Sequence, residues 1–156
     1  MSRFQLALNV DDVDAAVDFY RRLFGAEPAK RRPGYANFAI ADPPLKLVLI
    51  ENPGKGATLN HLGVEVFSQE EVAAAGARLT AAGLSPAPEH GACCYAVQDK
   101  VWVHDPDGAP WEVYTVLADA PVGPHAVPAA PTAAGPCCAP APAPAPAAAS
   151  SCDCPR

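Results

Sequence analysis

The strongest constraint on how this chain folds is that it repeats itself. Residues 5–25 (QLALNVDDVDAAVDFYRRLFG) align with 61–83 (HLGVEVFSQEEVAAAGARLTAAG): Val10 falls on Val66, Arg22 on Arg78 and Leu23 on Leu79, an offset of 56. Each copy opens with strict alternation. Phe4, Leu6, Leu8 and Val10 alternate with Gln5, Ala7 and Asn9, and Leu62, Val64 and Val66 alternate with His61, Gly63 and Glu65. A period of two marks a strand with one buried face. The period then lengthens: apolar residues at 13, 16, 17, 20, 23 and 24 follow the spacing of a one-faced helix, as do Val72, Ala75, Gly76 and Leu79. Asp11 or Asp12 caps the first helix, and Ser68-x-x-Glu71 is a capping-box pattern for the second. Gly25 and Gly83 stand where a left-handed residue closes a helix.

Three strand-like runs follow each helix. The first half gives a short piece near 29–31, then YANFAIA and LKLVLIE; the second gives ACCYAV, KVWVH and WEVYTVL, with DPDG at 105–108 as a tight turn. PPLKLVLI lies over GAPWEVYTV, which sets Lys46 against Glu112. The chain reads as α+β, two tandem βαβββ modules (about 3–52 and 59–118) within a domain spanning 1–119. From 120 to 156 the composition changes to Pro, Ala and small residues, which favour polyproline II and offer no apolar face. The expectation there is a disordered, Cys-containing tail, reaching about 30–36 Å as a flexible chain.

The opening residues are too alternating for a signal peptide or membrane span, which predicts a cytoplasmic protein with reduced thiols. A net charge of −6, with no basic cluster beyond KRRP at 30–33, argues against nucleic acid and anionic membranes as partners.

Alternation also selects the groups that can meet. With Leu6, Leu8, Leu62 and Val64 toward the helices, Gln5 and His61 face the other way, as does Glu112 when Trp111 and Val113 face the helices. Paired βαβββ modules with such residues on these strands, and DPDG followed by WE, resemble the vicinal oxygen chelate superfamily. That superfamily includes glyoxalase I, extradiol dioxygenases and fosfomycin-resistance proteins. The resemblance implies a cup-shaped mixed sheet holding one divalent metal with open positions, and Gln5, His61 and Glu112 as its ligands. The superfamily usually has His where Gln5 stands, so this chain offers a neutral oxygen donor instead. One imidazole, one carboxylate and one amide oxygen suit non-haem Fe(II) and admit Mn, Co, Ni or Zn. Lys46 is no ligand while protonated.

Cys93 and Cys94 are neighbours in sequence, a spacing that disfavours a disulfide. Thiolates are soft ligands, and a vicinal pair suits a soft centre with two exchangeable positions, such as trivalent arsenic bearing one organic group. In a regular strand the two would face opposite ways, so a loop or bulge is expected to bring them together, with Gly91 just before them. His90 and Lys100 are candidate cationic neighbours. GACCYAVQDKVWV on this scaffold, with PGYANFAIADPPLKLVLIE upstream, is similar to the carbon–arsenic lyases. The resemblance covers residues 3–118. It implies Fe(II)- and O2-dependent cleavage of trivalent organoarsenicals to inorganic arsenite, with Cys93 and Cys94 holding the substrate. Tyr95, Trp102 and Tyr114 are candidates for pocket walls or for plain core.

Cys137, Cys138, Cys152 and Cys154 are candidate accessory thiols for arsenic capture, with an inert spacer as the alternative. Two rival functions stay open: thiol-based sequestration of cadmium or arsenic without turnover, and a glyoxalase- or fosfomycin-type metalloenzyme. Two modules in one chain make a monomeric site attainable, and a homodimer is equally compatible.

Overall fold

The computed structural model describes residues 2–124 and 127–130. Among them run β1 (Arg3–Val10), α1 (Val13–Phe24), β2 (Lys30–Arg32), β3 (Tyr35–Ile40), β4 (Leu45–Glu51), β5 (Thr58–Glu65), α2 (Gln69–Ala81), β6 (Ala87–Cys93), β7 (Ala96–His104) and β8 (Pro110–Asp119). Both predicted βαβββ modules are present. Their strands form one curled sheet in the order β2-β3-β4-β1-β5-β8-β7-β6. β1 and β5 lie antiparallel at its centre, and each takes the last strand of its own module as a parallel neighbour. The register carries the repeat: Gln5 pairs with Gly63 and Ala7 with His61, so residues 56 apart exchange places.

The helices cover the convex face, and the predicted ends are observed. Asp12 caps α1 by accepting from the Asp14 and Ala15 amides, and Gly25 closes it at φ 61°. Ser68 accepts from the Glu71 amide at the start of α2, while the Glu71 carboxylate accepts from the Phe67 amide. Val13 and Val17 of α1 bury against Phe38, Leu47 and Leu49, with Leu6 and Leu8 beside them. Burying a valine such as Val17 contributes about 1.5–3 kcal/mol. Val72 and Leu79 of α2 pack with Val101. Leu23 departs from the expected apolar face and is 58 % exposed. With the outer face apolar, the alternation leaves Gln5, His61, Glu65, Gln98, Lys100 and Glu112 buried on the other side of the sheet.

Two local expectations need correction. ACCYAV is not one strand: β6 ends at Cys93, β7 begins at Ala96, and Cys94 and Tyr95 form the two-residue turn between them. Both take left-handed conformations (φ 57° and 61°), as a type I′ hairpin requires. Gly91 passes through β6 in regular pairing with Gln98, so of the loop and the bulge expected there it is the loop, the Cys94–Tyr95 turn, that gathers the thiols. The second correction concerns the closing strands. Ala7 pairs with Val48 and Gly63 with Glu112, which makes Val48, not Lys46, the repeat counterpart of Glu112. A shift of two residues returns each side chain to its original face, so alternation alone cannot detect it.

Candidate active site

Gln5 on β1, His61 on β5 and Glu112 on β8 converge inside the cup, all at most 5 % exposed. Gln5 Nε2 lies 3.0 Å from His61 Nε2 and 2.7 Å from Glu112 Oε1, and His61 Nε2 lies 3.4 Å from Glu112 Oε1. A cation about 2.1 Å from each donor of an octahedral face holds those donors about 3.0 Å apart. The triangle has edges of about that size, and with the Gln5 amide turned over, so that Oε1 stands in place of Nε2, its three atoms suit one small divalent ion. Among the described residues no three His, Cys, Asp or Glu side chains gather for a metal, so a three-donor set at this place has to include the Gln5 amide. Gly63 leaves the room: a Cβ there would stand 3.1 Å from Glu112 Cγ and 3.2 Å from Gln5 Nε2.

Each donor is held from behind. His61 Nδ1 meets Asn60 Oδ1 at 2.7 Å, and Asn60 in turn donates to Asn9 Oδ1. A proton on Nδ1 satisfies Asn60 and leaves the Nε2 lone pair facing the cup. Lys100 Nζ donates to Glu112 Oε2 at 2.8 Å, both groups 3 % exposed. Burial alone would raise the Glu112 carboxyl, but the contacts with His61 and the Lys100 ammonium reverse that and hold it at about 2. Burial likewise opposes the charge on Lys100, yet the Glu112 carboxylate carries its pKa upward. The Tyr114 hydroxyl, fully buried, donates to Gln5 Oε1.

The thiols arrive from the opposite wall. The Cys94–Tyr95 turn leans across the cup onto β3 and β4, where both residues pack against Tyr35, Val48 and Ile50. Tyr95 donates its hydroxyl to the Pro33 carbonyl, Lys30 donates to the Tyr95 carbonyl, and the Tyr95 amide donates to the Val122 carbonyl. Clamped in this way, the turn sets Cys93 Sγ 2.9 Å from Cys94 Sγ, with no disulfide. The hydrogen bond to Cys93, and then burial, push the Cys94 thiol well up, so it is neutral at pH 7.

A cavity of about 10 Å³ joins the two groups, lined by Gln5, His61, Glu112 and Cys94 together with Val48 and Gln98. That is room for about one water or ion. A second cavity of about 220 Å³ lies beside it and shares Tyr35, Lys46, Cys94 and Gln98 with the first. Lys46 bonds to Glu65, which also pairs with Arg3, and burial lowers the Lys46 pKa.

The structure thus brings Gln5, His61, Glu112 and Cys94 around one space; Cys93 lines neither cavity and is joined to it through the Cys94 thiol. Trp102 sets its ring edge-on to His61 at 5.4 Å, and Tyr114 supports Gln5. Tyr95 acts in the clamp and lines neither cavity. His90 lies outside, facing Asp99 with its side chain 63 % exposed. Cys137, Cys138, Cys152 and Cys154 lie outside the described residues. Tyr35 and Gln98 were not singled out from sequence. Their signal was present, since both sit on the Gln5-like, inward phase of strands β3 and β7. No helix among the described residues is long and apolar enough to cross a membrane.

The fold is shared with known proteins. A model of the Glyoxalase/Bleomycin resistance protein/Dioxygenase superfamily matches residues 3–113. The cadmium-induced protein CadI of Mycobacterium tuberculosis is 72 % identical over 120 residues, 76 % of this chain and 79 % of that protein. A trivalent organoarsenical cleaving enzyme of Thermomonospora curvata is 62 % identical over 122 residues, 77 % of this chain and 81 % of that enzyme. Among solved structures, a Mn(II)-bound glyoxalase from Novosphingobium aromaticivorans superposes with a TM-score of 0.55 at 21 % identity, over 82 % of this chain and 44 % of that one.

Proposed function

The chain belongs to the Glyoxalase/Bleomycin resistance protein/Dioxygenase superfamily, and on that premise we propose that it cleaves the carbon–arsenic bond of trivalent organoarsenicals in an Fe(II)- and O2-dependent reaction, releasing inorganic arsenite. One observation carries this reading: a vicinal thiol and a three-donor triangle line the same small cavity. The likeness to the Thermomonospora enzyme supports the substrate class.

Capture is a ligand exchange. The substrate R–As(OH)2 meets Cys93 and Cys94, two As–O bonds give way to two As–S bonds, and the thiol protons leave in two waters. Neutral thiols suit this exchange, because no charge is buried or released at equilibrium. The clamped turn then fixes arsenic beside the donors, replacing an encounter by a held geometry. Gln5, His61 and Glu112 would hold Fe(II), and the bound ion supplies the redox chemistry with O2. The Gln5 amide turns its nitrogen inward as described; turning it over presents Oε1, and the Tyr114 hydroxyl, able to donate or accept, then accepts from Nε2. Lys100 holds one Glu112 oxygen and leaves the other facing the cavity. Domain limits of 1–119, a cytoplasmic setting and accessory capture by Cys137, Cys138, Cys152 and Cys154 complete the proposal.

The likeness to a cadmium-induced protein favours a second reading, sequestration of cadmium or arsenic on thiols without turnover. Oxygen uptake separates the two. Fe(II)-loaded protein given methylarsenite should consume O2 in step with arsenite formation; arsenical binding with no O2 uptake would reject the lyase.

A further inference from the structure

Among the described residues, Gln98 Oε1 is the buried side-chain oxygen or nitrogen with no hydrogen-bond partner. The residue is 5 % exposed and lines both cavities, as does Cys94. Its amide nitrogen donates to the Cys93 carbonyl at 3.4 Å, at the end of β6 where the thiol turn begins. A turned-over amide would set two oxygens against each other, so the carbonyl is the end left facing the cavities. A fully buried acceptor without a donor is costly to keep. Tyr35 donates nothing to it, and Lys46 and Lys100 have carboxylate partners of their own.

We propose that the Gln98 carbonyl accepts a hydrogen bond from a hydroxyl on arsenic, and so distinguishes As–OH from As–C at the thiol pair. This rests on the reading of Cys93 and Cys94 as the arsenic clamp. The bookkeeping of donors makes the role specific. Capture of R–As(OH)2 by two thiols yields R–As(S)2 and two waters, a species with no hydroxyl left to donate. Capture of As(OH)3 yields (S)2As–OH and two waters, with one hydroxyl retained. Neither exchange changes an oxidation state. Gln98 therefore stays without a donor while the organoarsenical is held, and gains one as the carbon substituent is replaced by oxygen. An interaction that strengthens along the reaction acts on the chemical step rather than on capture.

The test uses the full chain with Cys137, Cys138, Cys152 and Cys154 changed to Ser, so that Cys93 and Cys94 alone report. Fe(II)-loaded protein is titrated without O2 with inorganic arsenite and with methylarsenite, reading Trp fluorescence. Gln98→Met should weaken arsenite about tenfold and methylarsenite by less than about twofold, and Gln98→Glu, which keeps an acceptor, should retain the original ratio. Methylarsenite binding also certifies that each variant is folded. An unchanged arsenite-to-methylarsenite ratio in Gln98→Met would overturn the proposal, as would a Gln98→Glu ratio equal to that of the Met variant. Failure of the clamp reading looks different: Cys93→Ser/Cys94→Ser would then bind both arsenicals as tightly as the parent.

Discussion

The two halves of the cup share a backbone plan and differ in what they place on it. At the centre of module one, Ala7 lies beside Val48; at the equivalent place in module two, Gly63 lies beside Glu112. The missing Cβ makes room for the carboxylate and for Gln5 across the seam. The hairpin after the helix also differs. In module one it is a short β2–β3 pair, whereas β6–β7 carries Cys94 and Tyr95 at its tip, across the cup onto the first module. Repetition specifies the scaffold, and departures from it mark the chemistry: four residues of the proposed site, His61, Cys93, Cys94 and Glu112, come from module two and Gln5 alone from module one.

Removing Glu112 should have the largest effect on stability. Glu112→Ala leaves the Lys100 ammonium buried without its carboxylate, which costs about 3–5 kcal/mol, and the metal is lost with it. Urea unfolding and iron content per chain measure both. The pH dependence has a fixed sign. With the carboxyl held at about 2 in the folded chain, its contribution is fully present above the ordinary carboxylate range and is lost as pH falls through about 2. Glu112→Gln should flatten that acid limb.

Loss of one thiol should abolish turnover while leaving the metal. Cys94→Ser is expected to bind Fe(II) as the parent does and to retain under about 1 % of its activity, because a single As–S bond neither orients nor holds the substrate. Equal loss of iron and activity would place Cys94 in the metal site instead.

The asymmetry can be erased. Ala7→Gly/Val48→Glu rebuilds in module one the arrangement of module two and adds a fourth donor. The variant should be less stable than the parent without metal, since a carboxylate is buried, and should melt higher than its own metal-free form once metal is added. No metal-dependent rise would mean that the Val48 position does not face the ion. A smaller change is Tyr114→Phe, which removes the hydroxyl behind Gln5; metal affinity should fall about tenfold, the lower end for a supporting partner. Competition with a chelating dye reads it.

The sequence carried the fold well because its evidence was duplicated. Two strands of alternating residues, two capped helices and DPDG each needed only local physics, and the same phase put Gln5, His61 and Glu112 on one face. What escaped was non-local. The turn at Cys94 and Tyr95 places two non-glycine residues at positive φ, which propensity disfavours and the clamp by Lys30, Pro33 and Val122 enforces. The Lys46 alignment failed by two residues, a slip invisible to a period of two. Lys100 is legible as a cation near the thiols, but its bond to Glu112 depends on the β7–β8 register, which places Trp102 opposite Glu112. Gln98 lies inside GACCYAVQDKVWV without a role assigned to it there, and becomes visible only as a buried oxygen without a donor.

The most direct test of the central claim is arsenic speciation after excess methylarsenite is given aerobically to Fe(II)-loaded protein and to Glu112→Ala. The account predicts inorganic arsenite from the parent in many-fold excess over enzyme, and none from the variant. Methylarsenite recovered unchanged, bound at no more than stoichiometric amounts by both proteins, would contradict it and leave a thiol clamp that sequesters without cleaving.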